Sequence, residues 1–217
     1  MSFWEFELTA EALHIGERIK KGTFRPLVPA FKRGSREYRP LPYSTAVGSL
    51  REYLGLKWDA PLHAAGYLTE GEEKELTIAP RDNVTGVAKL PITIQYLVRV
   101  RGKIFVLVDD QSRALPERFE MPMGGLRYKG LGLCRLNKAS KPIEPEKGEG
   151  FLLTRIPDTA LPVFGIDPEQ VKGDGPFRRG YLFKPTSMSG GVYVKSLFEG
   201  SRVKGFDFLL EDGHEIR

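Results

Sequence analysis

The chain has 217 residues, 41% of them hydrophobic, and a net charge of +5 with a pI near 9.2. That is enough for one large domain or two small ones with an ordinary core, and the basic balance points to an anionic partner. A single cysteine, Cys134, excludes an intramolecular disulfide and makes a reducing cytoplasm the default, while the scattered His14, His63 and His214 form no ligand-spaced pair and no apolar run nears membrane-spanning length.

The amino terminus, Phe3-Trp4-Glu5-Phe6-Glu7-Leu8, alternates like a strand over 3–9 and lacks the cationic start of a signal peptide. Residues 16–43 follow as a long connection with Pro26, Pro29, Pro40 and Pro42 and no apolar period. Structureless connections of this length are uncommon and usually functional or disordered. Residues 16–51 hold nine cations, Arg18, Lys20, Lys21, Arg25, Lys32, Arg33, Arg36, Arg39 and Arg51, against Glu17 and Glu37, a balance of +7 that exceeds the whole chain's excess. Phe24, Phe31, Tyr38 and Tyr43 are interleaved with them. Cations plus aromatics suit a groove that tracks a phosphate backbone and stacks bases. The alternative is a loop kept soluble by charge; nucleic acid is favoured over it.

Residues 44–54 are expected as a helix, with Ser44 as N-cap, Ala46, Val47, Leu50 and Leu54 at helical spacing, and Gly55 as the stop. Residues 56–90 read as an irregular, protruding segment, with the acidic run 70–75 in a solvated loop. Residues 92–100 and 103–108 read as strands separated by an Arg101-Gly102 hairpin turn. Residues 113–119 read as a short helix cut by Pro116, and 131–136 as a strand. The order β-α-β-β-(α)-β is an α+β, ferredoxin-like (RRM-like) plan with a weak second helix. Residues 137–150 read as a linker. Strands at 151–156, 180–183 and 191–198, with a turn at Glu199-Gly200-Ser201, predict a small β-rich subdomain over 151–217 behind a main domain over 1–136.

The stretch Met121-Pro122-Met123-Gly124-Gly125-Leu126-Arg127-Tyr128-Lys129-Gly130-Leu131-Gly132-Leu133-Cys134-Arg135-Leu136 carries the most information. Its glycines permit positive φ and close backbone approach. Arg127 and Lys129, bracketed by them, supply donors for phosphate. The loop suits a bound polyanion; the plainer alternative is a surface hairpin with two solvated cations.

Pro42-Tyr43-Ser44-Thr45-Ala46-Val47-Gly48-Ser49-Leu50-Arg51 resembles the first helix of the RAMP superfamily of CRISPR-associated proteins. Leu8-Thr9-Ala10-Glu11-Ala12-Leu13-His14-Ile15-Gly16 resembles the end of that superfamily's first strand and its turn. Arg81-Asp82-Asn83-Val84-Thr85-Gly86-Val87-Ala88 is similar to the segment leading into its protruding hairpin, and 123–136 to its glycine-rich loop and last core strand. The four fall in the family's order. About eighty residues follow the glycine-rich strand, an arrangement more similar to the Cas-five-type group than to backbone subunits, and 191–203 resembles that group's tail strand and turn.

The resemblance implies a subunit of a class 1 effector complex, type III or type IV, in antiviral defence. Its role would be to grip the 5′ handle of the CRISPR guide RNA and cap one end of the assembly, beside a backbone subunit and the large subunit. The implied RNA-binding residues are Lys20, Lys21, Arg25, Lys32, Arg33, Arg36, Arg39, Tyr43, Ser44, Thr45, Arg51, Gly124, Gly125, Arg127 and Lys129. No cofactor, metal or membrane partner is implied.

Metal-free RNA cleavage needs a base, an acid and cationic stabilisation. His14, ending the first strand, is the best-placed base, with Tyr43 or Lys129 as its partner in an alternative reading as a repeat endoribonuclease. A lone histidine beside apolar residues is more often structural. Target-cleaving backbone subunits share an aspartate after the first strand, and residues 16–43 contain no aspartate. Asp109-Asp110 reads as a turn cap. A non-catalytic RNA-binding protein is therefore expected.

Overall fold

Alternation along the first strand sets the architecture. In β1 (Phe3–Leu13), Phe6, Leu8 and Ala10 enter one core while Phe3 enters a second core on the opposite face. The structure is a computed structural model that describes residues 1–15, 31–33, 36–79, 81, 84–87, 92–173, 175–186 and 190–211.

After β1 come β2 (Phe31–Arg33), β3 (Arg36–Leu41), α1 (Tyr43–Tyr53), β4 (Ala64–Ile78), β5 (Ile92–Leu107), β6 (Arg118–Pro122) and β7 (Leu133–Lys138). They form an antiparallel seven-stranded sheet in the order β2-β3-β4-β5-β1-β7-β6. The central β4-β5-β1-β7 order, with α1 against one face, is the ferredoxin-like arrangement.

Several expectations need correction. Part of the connection 16–43 is strand: β3 pairs with β4 through Arg39↔Leu68 and Leu41↔Gly66. Among the described residues β2 pairs with 36–38 and Pro40 pairs on one side alone, with Tyr67 of β4, where its missing N–H is tolerated. The acidic run is not a loop either. Glu70, Glu72, Glu73 and Glu75 lie within β4, which pairs with β5 out to Ile78↔Ile92. Carboxylates are tolerated there because cross-strand cations face them: Glu72 meets Arg99 at 2.8 Å and Glu70 meets Arg101 at 3.5 Å. Beyond Leu13↔Leu97, where β1 stops pairing, β4 and β5 continue as a two-stranded ribbon.

Arg101-Gly102 is no turn, since β5 runs unbroken through it. Gly102 is glycine because its Cβ would lie 2.5 Å from the Tyr67 carbonyl oxygen. The helix expected at 113–119 shrinks to a single 3-10 turn at Ser112–Ala114. Pro116 forces Leu115 to extended backbone, and Phe119 and Met121 then alternate into the core along β6.

Ser44 does not cap α1. The cap position is Pro42, whose carbonyl accepts from Thr45 and Ala46, while the Tyr43 N–H donates to Arg155 O at 3.0 Å. The far end follows expectation. Gly55 is left-handed at φ 65°, Gly55 N–H donates to Glu52 O, and Leu56 N–H donates to Arg51 O, a Schellman closure.

The tail contains β8 (Lys147–Leu152), β9 (Ile156–Pro157), β10 (Arg179–Pro185), β11 (Gly191–Leu197), β12 (Arg202–Phe206) and β13 (Leu210–Glu211). These form two three-stranded sheets, β10-β11-β9 and β12-β8-β13. The stretch read as a linker is strand at both ends, and between them Ile143 exchanges two backbone hydrogen bonds with Phe3. Tail and sheet share one core. Phe3 lies 5.7 Å from Phe164 and 4.9 Å from Phe208, and Phe105 lies 4.4 Å from Phe208, centroid to centroid. Arg155 and Glu199, both buried, form a bidentate pair at 2.7 and 3.0 Å, and the guanidinium sits 4.2 Å from the Phe198 ring.

Phe3 therefore holds the tail to the sheet. Phe3→Ala should cost about 3–5 kcal/mol, as expected for a fully buried aromatic. Urea unfolding followed by circular dichroism checks this, with an unchanged midpoint as the contrary result.

Candidate nucleic-acid interface

The glycine-rich loop, 123–132, is built against the end of β1. Gly125 N–H donates to His14 O at 2.9 Å, Gly132 N–H to Ala12 O at 2.8 Å, and Met123 N–H to Gly132 O at 2.8 Å. Gly124 and Gly132 have φ of 77° and 93°. A Cβ at Gly124 would lie 2.2 Å from His14 O, and one at Gly132 would lie 2.1 Å from Met123 O. The close backbone approach that these glycines permit is thus made by the chain itself. Gly125 faces the His14 ring, whose Cδ2 would sit 2.8 Å from an added Cβ.

The apex is a 3-10 turn at Arg127–Lys129, between Leu126 at φ 58° and Gly130 at φ 80°. A leucine in the left-handed region is strained and must be held by its surroundings. Arg127 supplies part of that hold by pairing with Glu52 near the end of α1 at 2.7 Å. The turn leaves Tyr128 79% exposed, with Lys129 Nζ 5.3 Å from the ring centroid. An exposed aromatic beside a cation is a stacking platform with a phosphate donor. Arg127 and Lys129 are legible in the sequence as phosphate donors, whereas Tyr128 is not, because exposure is not visible in composition.

The remaining expected residues scatter. Lys20, Lys21 and Arg25 lie outside the described residues. Lys32 and Arg33 fall on β2 and Arg36 on β3, in register Lys32↔Glu37 and Arg33↔Arg36. Arg39 is buried and neutralised by Glu37 at 2.6 Å and Glu73 at 2.9 Å, so its charge is spent within the fold. Tyr43, Ser44, Thr45 and Arg51 lie on α1. The Tyr43 hydroxyl is hydrogen-bonded to His63 Nδ1 at 2.9 Å, and Arg51 Nη2 donates to Ala60 O at 2.5 Å.

The sheet face opposite α1, beyond the tail, is charge-balanced. Lys103 pairs with Glu5 and Arg135 with Glu120, each at 2.7 Å, beside the Arg101–Glu70 pair. The glycine-rich loop is the better nucleic-acid candidate on this account.

His14 is buried, with Nδ1 bonded to Gln95 O at 3.0 Å, and burial lowers its pKa more than that bond raises it. Burial also lowers the pKa of His63, with Asp109 opposing and Arg51 reinforcing the shift. Burial pushes the Cys134 thiol up to about 12, leaving it unreactive. Asp109 Oδ1 accepts from Ser112 N–H at 2.7 Å, the turn-capping role expected for it.

The chain matches no protein-family model and no curated protein sequence. Its fold resembles a chain of the Type III-B Cmr-beta bound to cognate target RNA, solved by cryo-EM, with a TM-score of 0.57 and 13% identity over 92% of this chain and 86% of that one. A chain of Type III-B Cmr-beta bound to cognate target RNA and AMPPnP, state 1, gives 0.48 at the same identity and coverage.

Two outcomes follow from this geometry. Gly132→Ala should lower Tm by several degrees without any RNA present, at about 2–4 °C per kcal/mol for a chain of this size. A melt by differential scanning fluorimetry reads it. Both lowered histidine pKa values mean that the unfolded chain takes up protons where the folded protein does not. Stability is then full above the ordinary histidine value and falls as pH drops through about 6.5. Melts between about pH 7.5 and about pH 5.5 should show this fall, reduced in the double variant His14→Gln/His63→Gln.

Proposed function

We propose that the chain is a non-catalytic RNA-binding subunit of a class 1 CRISPR effector complex that holds the 5′ handle of the guide RNA and caps one end of the assembly. The observation that carries this reading is the likeness to a Type III-B Cmr-beta chain, which runs through 92% of this chain and so includes the tail. The exposed Tyr128 and Lys129 on the glycine-rich loop support RNA contact. β1 ends at Leu13, the chain runs on beside that loop through His14, and the +7 stretch of the sequence begins at residue 16. A tail packed on the sheet supports the Cas-five-type reading over a backbone subunit, with a backbone subunit and the large subunit as partners.

The absence of chemistry is part of the proposal. It is supported by the burial of His14 and its bond to Gln95 O, which leave that ring holding strands together. Tyr43, the partner considered for it, is bonded to His63 instead.

Filter binding of the purified chain to repeat RNA in EDTA tests both parts. Binding without cleavage is expected, with affinity falling steeply as salt rises. Tyr128→Ala should lose about 1–3 kcal/mol of affinity, and Lys129→Ala should lower the salt slope by about one. Unchanged affinity in both variants contradicts the loop as interface. Cleavage abolished by His14→Ala at unchanged Tm would make the chain the endoribonuclease.

A further inference from the structure

A cavity of about 280 Å³ opens between α1, the segment 57–63 and β10 of the tail. Its size is near the lower end of the ~300–1,000 Å³ typical of small-molecule sites, too small for a folded partner. Tyr43, Ser44, Arg51, Trp58, Asp59 and Lys184 line it.

The walls are held in place by bonds already described and by one more. Ala60 N–H donates to Lys57 O at 3.1 Å, closing a turn with Trp58 and Asp59 at its centre. The Arg51 guanidinium pins that turn to α1 through Ala60 O. Tyr43 and His63 brace each other beneath it. Trp58 is 40% exposed, an indole face left partly uncovered on a fixed turn. Lys184 and Leu182 share a face of β10, and Lys184 makes no ion pair among the described residues. Arg51 Nη2 is committed to Ala60 O and its Nε is buried without a hydrogen-bond partner, so the remainder of the guanidinium is what it offers the cavity.

The lining thus combines an apolar wall that includes Leu62 and Leu182, the rings of Tyr43, Trp58 and Phe183, two cations, the hydroxyls of Ser44 and Thr159, and a single carboxylate. Two cations against one carboxylate disfavour a cationic ligand and favour an anion. The indole favours a flat ring attached to that anion. The hydroxyls and the carboxylate can bond to ring-edge amino and carbonyl groups.

We propose that this cavity binds a single nucleotide, with its base against Trp58, its phosphate at Arg51 and Lys184, and its base edge at Asp59 and Ser44. The nucleotide can be free or one residue of an RNA strand; only the second source rests on the RNA-binding reading above. The cavity and the glycine-rich loop are separate sites. The loop is tied to the C-terminal end of α1 through Glu52, whereas the cavity lies along the helix towards Tyr43.

The test titrates the full chain with AMP, with UMP, with inorganic phosphate and with a short single-stranded RNA. Tryptophan fluorescence and equilibrium dialysis are the readouts, and Trp58→Ala separates the Trp58 signal from that of Trp4. Saturable quenching by a mononucleotide is expected, weakened about tenfold in Lys184→Glu and lost in Trp58→Ala, with dialysis showing the same order. Lys129→Ala should leave mononucleotide binding unchanged. If only the RNA quenches Trp58, and Lys184→Glu weakens that quenching, the nucleotide comes from a strand. If mononucleotides quench while RNA binds nowhere, the cavity stands and the RNA-binding reading falls. The proposal is overturned if neither the mononucleotides nor the RNA perturb Trp58, or if inorganic phosphate binds as well as AMP. It is also overturned if Lys184→Glu, at unchanged Tm, binds as tightly as the parent.

Discussion

Burial on both faces of the β1–β5 pair is the constraint on which the remaining structure depends. Phe6, Leu8 and Ile104 fill the core beneath α1, while Phe3 and Phe105 fill the core beneath the tail. A sheet apolar on both faces needs a layer on each side. The tail therefore completes the fold of the sheet and is not an appendage to it. The same constraint positions α1. Tyr43 N–H finds its acceptor at Arg155 in the tail, and Thr154 Oγ1 donates to Leu41 O at 2.9 Å, just before the helix. Arg155 is itself fixed by Glu199 and Phe198. A helix start usually satisfied by its own cap is here satisfied by another layer.

Charge tells a different story when it is placed in space. The sequence suggests a broad basic surface, yet many described cations are committed to carboxylates. Arg39, Arg99, Arg101, Lys103 and Arg135 all have anionic partners. Exposed pairs of this kind contribute little to stability. Their effect is to cancel the field that a polyanion would feel over the sheet. Among the described cations outside such pairs are Lys129, beside Tyr128 at the loop apex, and Lys184, at the cavity with Arg51.

The sequence made α1 legible because its apolar spacing and its Gly55 stop are local signals. The tail strands β10 and β11 were legible for the same reason. The β4 strand was not, because Glu70 to Glu75 carry low strand propensity and the residues that compensate lie on β5. Arg101-Gly102 resembled a turn, but that glycine answers the Tyr67 carbonyl across the ladder. Ser44 resembled a cap because a distant acceptor, Arg155 O, is invisible to local pattern. At the loop, glycine content was legible and its cause was not. The spacing cannot say whether a close backbone belongs to RNA or to His14.

That distinction changes how the loop works. If glycines cradled a ligand directly, the loop could be soft until bound. Instead Gly124, Gly125 and Gly132 let it dock onto the end of β1, where the chain's own backbone hydrogen bonds restrain it. That restraint lets the fold hold Leu126 at φ 58° and keep Tyr128 out in solvent, two costs that a mobile loop would relax away. A loop backbone already held in place loses little freedom when its ring stacks, so more of the contact energy appears as affinity. On the RNA-binding reading proposed above, the glycines serve recognition through preorganisation, and contact falls to the side chains presented at the apex.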